Sequence, residues 1–135
     1  MAGFKSTYLA NKILDAHKGG VAYSAPATIY YALFTTAPTA SGGGVEVSGG
    51  SYSRPSASNN LTTYPSSSGG AKKIGVALTW PAPTADWLVC VGIGEFDNNV
   101  GGNLLTYESF ATPVTILNGS PAFVMPANSI TYTEA

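Results

Sequence analysis

The sequence predicts an all-β protein, a β-sandwich of jelly-roll or immunoglobulin-like type, with one short N-terminal α-helix and one long Gly/Ser-rich loop. Three observations predict it. Apolar runs of strand length recur from residue 74 to residue 133, separated by Gly, Pro, Asn and Asp. The segment ATIYYALFTT, ending at Thr36, alternates side chains strictly, with Ile29, Tyr31 and Leu33 opposed to Tyr30, Ala32 and Phe34. Helical spacing is confined to the N-terminus.

The elements follow in order. Residues 1–20 form the helical segment: Ser6 caps it, Leu9, Ile13 and Ala16 recur at helical spacing, and Gly19-Gly20 ends it. Lys12 and Lys18 lie toward its C-terminal end, where cations suit the helix dipole. A helix this short persists only when docked, so Leu9 and Ile13 are expected to make contacts. Both faces of ATIYYALFTT are apolar or aromatic, which predicts a central strand. Residues 36–73 are dominated by Gly, Ser, Thr, Pro and Asn, with only EVSG and NLTTY briefly extended. A loop of that length is usually functional, and this one is expected to be mobile alone and ordered by neighbours. Its interaction candidates are Val45, Val47, Tyr52, Arg54 and Tyr64, with Arg54 pairing to a partner. Strands resume in IGVALTW (74–80), WLVCVGIGEF (87–96), NLLTYESF (103–110), VTIL (114–117), PAFVM (121–125) and SITYT (129–133). DNNVGG is a turn, and Asn118-Gly119 predicts a hairpin. The 135 residues are expected to form a single domain, 1–135.

Charged residues make up 10% of the chain, with a net charge of −1. Between Gly19 and Ala71 the only charges are Glu46 and Arg54. So little charge holds a surface only weakly apart from its neighbours, which suits a protein packed against others. Phosphate neutralisation has no basic patch to work with, so nucleic acid is not an expected partner. No apolar run reaches membrane-spanning length and the first residues lack a signal-peptide core, so neither membrane nor export is expected. Cys90, the one cysteine, sits in the apolar run LVCVGI and reads as a buried, inert thiol.

Catalytic patterns fail one by one. The glycines at 42–44 and 49–50 lack the Lys-Ser/Thr and helix of a phosphate loop. No G-x-S-x-G elbow is present, and His17, the single histidine, falls at the helix end. Glu95 and Asp97 border a turn and read as solvated. No enzyme activity and no cofactor are expected. One metal pattern requires a decision: counted from Asp97, DNNVGGNLLTYE puts Asn99 and Glu108 at positions 3 and 12 of a Ca²⁺ loop. Strand flanks and a glycine at position 5 favour a polar turn with no metal. Eight tyrosines and two tryptophans raise glycan stacking, with Tyr52, Tyr64 and Trp87 the candidates for exposure.

The blocks STYLANKILDAHKG, APATIYYALFTTAPT, GGGVEVSGGSYSRP, TWPAPTADW and GIGEFDNNVGGNLLTYESF, with a closing β segment, run in order through residues 6 to 133. In them the chain resembles a family of small tailed-bacteriophage structural proteins, whose members are head-decoration or tail-fibre-like. PSASNNLTTYPSSSGGAKK is longer and more polar than the strand expected there. The resemblance implies a virion location after assembly in the bacterial cytoplasm, a β-sandwich and no catalytic residues. The leading expectation is a capsid decoration (cement) protein whose partners are the major capsid protein and copies of itself, a trimer being the expected form. The alternative is a tail or receptor-binding component that contacts host-surface glycan.

Overall fold

A strand that the sequence pattern does not announce, β1 (Ala2–Lys5), precedes the helix in the computed structural model, which describes residues 2–134. Ser6 then caps α1 (Thr7–His17) in the expected way: its side chain accepts a hydrogen bond from the Leu9 amide at 3.1 Å. The same residue ties the helix to the sheet. Its amide donates to the Leu105 carbonyl at 2.8 Å and its hydroxyl to Leu104. The helix closes as Lys18 N–H returns to the Leu14 carbonyl and Gly20 turns left-handed at φ 66°.

The remaining strands are β2 (Thr28–Thr36), β3 (Val45–Glu46), β4 (Ser56–Ser58), β5 (Ala71–Lys73), β6 (Leu78–Thr79), β7 (Leu88–Phe96), β8 (Leu104–Ile116), β9 (Val124–Met125) and β10 (Thr131–Thr133). Eight of them form one sheet in the order β3-β2-β7-β8-β1-β10-β5, with β4 also on β2, while β6 and β9 pair separately. β2 is central, as expected, between β7 on one edge and β3 and β4 on the other. Near the other end of the sheet, β1 runs antiparallel to β8 and parallel to β10. The sheet curls round on itself, so that the Tyr132 hydroxyl of β10 lies 3.1 Å from the Tyr31 hydroxyl of β2, four strands away in sheet order. A β-sandwich results, its second layer completed by the β6–β9 pair.

The alternation in β2 and β7 fills the interior. Tyr31, Leu33, Cys90 and Ile93 meet Trp80, Trp87, Leu78, Met125 and Ile130 in one continuous core. Each large apolar side chain removed from water there contributes about 1.5–3 kcal/mol. On the opposite face Phe34 and Phe96 stack with centroids 6.2 Å apart. Gly94 lies beneath them, since a Cβ there would come within 2.9 Å of Phe34 and of Leu104.

Three expectations need correction. Residues 36–73 are not one open loop, for they contain β3, β4 and β5. NLTTY is a turn, while the strand flanking it comes from the polar SAS segment. Its central Ala57, opposite Ile29, is buried in the core, so backbone pairing prevails over weak side-chain signal. NLLTYESF and VTIL are parts of the single strand β8. Pro113 interrupts neither, because residues 110–113 bulge opposite Val91 between the Gly92–Ser109 and Cys90–Val114 pairs. Asn118-Gly119 does turn, with Gly119 at φ 83°, but joins no hairpin: β8 pairs with β7 and β1, and β9 with β6.

Candidate interaction surface at the hairpin end

The DNNVGG sequence closes the β7–β8 hairpin, and its first residue builds the turn. Asp97 accepts from the Asn103 amide at 2.7 Å and from the Asn103 side chain at 2.8 Å. Arg54 then anchors this tip to the segment before it. Its guanidinium donates to the Asn98 and Gly101 carbonyls at 2.7 and 2.9 Å and forms a two-pronged pair with Glu46 at 2.8 and 2.7 Å. The same group lies 3.9 Å from the centre of the Phe96 ring. Arg54 is thus used within its own chain, contrary to the expected partner pairing, and its side chain is only 4% exposed.

Tyr52 extends the network. Its hydroxyl donates to Glu46 at 2.8 Å and accepts from the Leu33 amide at 2.9 Å, while its ring meets Trp87 edge-on at 5.4 Å. Burial, with the Glu46 carboxylate beside it, holds this phenol protonated well above its ordinary range.

The structure separates the other interaction candidates into two groups. Val47 and Tyr64 are core residues and Tyr52 packs against that core, so none is a free surface in this chain. Trp87 is also buried and donates its indole N–H to the Gly50 carbonyl, so neither it nor Tyr64 presents a face for a sugar. Val45 is exposed, Ile13 partly so, and Leu9 half-buried; no residue of α1 is buried. The helix is held by its capped end, leaving Leu14 60% exposed. Asp97, Asn99 and Glu108 are not brought together: Glu108 lies inside the sandwich, paired in register with Ile93, while Asp97 serves the turn. Among the described residues no three acidic, histidine or cysteine side chains are grouped to hold a metal.

Two shallow clefts flank the hairpin tip. One, of about 460 Å³, is bordered by Tyr8, Ala40, Gly43, Phe96 and Asn103. The other, of about 490 Å³, is bordered by Tyr30, Glu46, Tyr52, Arg54 and Val100. At the rim of the second, Val100 stands 78% exposed. The combination of a tied tip, aromatic edges and open, shallow clefts suits contact with another surface more than enclosure of a small molecule. The sequence pattern missed Phe96, Val100 and Tyr8. For Phe96 and Val100 the signal was the DNNVGG turn, which contains or adjoins them; Tyr8, on α1, reaches the same cleft only through the tertiary fold.

Cys90 is buried, and burial raises its thiol to about 11, as an inert core cysteine requires. No helix among the described residues is long and apolar enough to cross a membrane. A family model described as "Podophage GP4 fiber I protein gp80" matches residues 5–133. No curated protein matches the chain.

Proposed function

Because the chain belongs to the podophage GP4 fiber I protein gp80 family, we propose that this virion structural protein is a non-catalytic tail-fibre subunit. The family match across nearly the whole chain is the observation that carries the reading. It fits the fibre at least as well as the cement role that low charge, the lack of catalytic motifs and the long loop suggest. In this reading the hairpin end faces outward and meets host-surface glycan, with Val100 at the tip and the aromatic edges of Tyr8 and Phe96 in the adjoining cleft. The half-exposed apolar side of α1 faces other virion subunits, which in a fibre include copies of this chain.

Gold-labelled antibody against the chain, applied to intact particles, tests the location. Label at the tail, with few copies per particle, is expected. Label spread over the head, at the copy number that covering a capsid requires, would replace the fibre by a cement protein bound to the major capsid protein. Adsorption tests the surface: Val100→Asp should weaken attachment to host cells while leaving the melting temperature of the isolated chain unchanged.

A further inference from the structure

Two carboxylates are enclosed inside the sandwich, and among the described residues neither forms an ion pair with a cationic side chain. Glu95 in β7 is 6% exposed and Glu108 in β8 is 4% exposed. Glu95 pairs in register with Tyr31, and Glu108 with Ile93, so the two acids sit on one inward face of neighbouring strands. The ion pairs among the described residues lie elsewhere, Lys5 with Glu134 and Arg54 with Glu46.

Their surroundings are a set of hydroxyls drawn from separate elements. The Tyr132 hydroxyl in β10 donates to Glu95 and lies 3.1 Å from the Tyr31 hydroxyl of β2, which is itself 2.7 Å from that of Tyr64. Lys72 of β5 borders the same small cavity of about 160 Å³ but directs its ammonium at the Tyr64 carbonyl, 3.4 Å away. Glu108 has less. Among the described residues its Oε2 is buried without a hydrogen-bond partner, and the neighbouring strand β1 crowds it, since a Cβ on Gly3 would lie 3.4 Å from Oε1 and 3.2 Å from the Tyr132 ring.

We propose that Glu95 and Glu108 form a proton-held latch that closes the β1–β10–β5 leaf over β2 and β7 and loosens it when the pair loses its proton. Two buried carboxylates with no cationic side chain against them among the described residues cannot both be charged cheaply, so the pair retains a proton while closed. Geometry divides the roles. Glu95, with hydroxyl donors around it, is the better site for the charge. Glu108, with an oxygen that nothing donates to, is the better site for the proton.

Burial raises both groups. For Glu95 hydrogen bonding, from Tyr132 foremost, opposes it; for Glu108 the negative charge of Glu95 adds to it, leaving Glu108 at about 7. A carboxyl raised in the closed state binds more protons there than in an opened one. Its contribution is therefore complete below the ordinary carboxyl value of 4.5, falls as pH rises toward about 7, and is absent above that. Over that window the opening equilibrium should rise on the order of a hundredfold.

Carboxyl-carbon NMR titration of the full chain reads the latch directly. A Glu108 midpoint near neutrality is expected, and a midpoint in the ordinary carboxylate range would overturn the proposal. Melting at pH 5 and pH 7.5 reads its consequence. Wild type should melt lower at pH 7.5, whereas Glu108→Gln, which keeps the shape and removes the charge, should lose most of that difference. An unchanged difference in Glu108→Gln would also overturn it. If that variant fails to fold, the wild-type titration and Tyr132→Phe, which removes a donor to Glu95 and should shift the Glu108 midpoint, still decide; an unmoved midpoint counts against the latch.

Discussion

Arg54 and Glu46, the only charged residues between Gly19 and Ala71, are bonded to each other. Their two-pronged pair sits against the Phe96 ring and holds the Asn98–Gly101 tip through two carbonyls. A segment of more than fifty residues thus directs its single cation and single anion inward to fix one end of the sandwich, leaving its remaining surface uncharged.

Removing the anion should therefore be costly. Glu46→Gln leaves a buried guanidinium without its counter-charge and should destabilise the chain by about 3 kcal/mol. Arg54→Lys should also destabilise, because an ammonium cannot reproduce the fork and the ring stacking together. Urea unfolding of each variant measures this; loss of less than about 1 kcal/mol would mean that the pair behaves as an exposed one.

The segment around this pair should be ordered without partners. The Val47 amide donates to Leu33, that of Tyr64 to Asn60, and that of Gly75 to Thr63, each within the chain. Hydrogen exchange on the isolated protein should show these amides strongly protected. Exchange at unfolded rates between residues 42 and 64 would restore the expectation of a loop that orders only on the particle.

The helix separates stability from assembly. Ser6→Ala removes both the cap and a tie to β8 and should cost about 1–2 kcal/mol. Leu14→Ser, at an exposed position, should change stability by no more than about 0.5 kcal/mol. The same substitution should lower incorporation into particles. Full incorporation of Leu14→Ser would show that α1 faces solvent in the virion.

Cys90 should be silent while the chain is folded. With its thiol raised to about 11 by burial, almost no thiolate exists at pH 8. A disulfide-exchange reagent should react at the rate of unfolding in native buffer and at once in denaturant. Rapid native reaction would show that the β7 core is open.

Features that depend on neighbouring residues are legible along the chain. Ser6 and the glycines after His17 bound the helix, the alternation of Ile29 to Phe34 marks a central strand, and Asp97-Asn98-Asn99 specifies a hairpin tip. Each is local chemistry: a cap, a period of two, a turn. The missing helices around Asp97 likewise pointed to a turn over a Ca²⁺ loop. Only the tertiary structure decided what the polar segment after Thr36 does. Ser56–Ser58 becomes a strand because β2 offers an unpaired edge, and Val47 and Tyr64 enter the core because that pairing carries the chain across it. Neither edge nor core exists until distant residues meet. The same holds for β1, whose partners lie at Thr106-Tyr107 and Thr131-Tyr132, and for Glu95, which reads as solvated beside its turn yet is buried along with Glu108. Their burial depends on the sheet curling round on itself, and that closure is a long-range property no local spacing encodes.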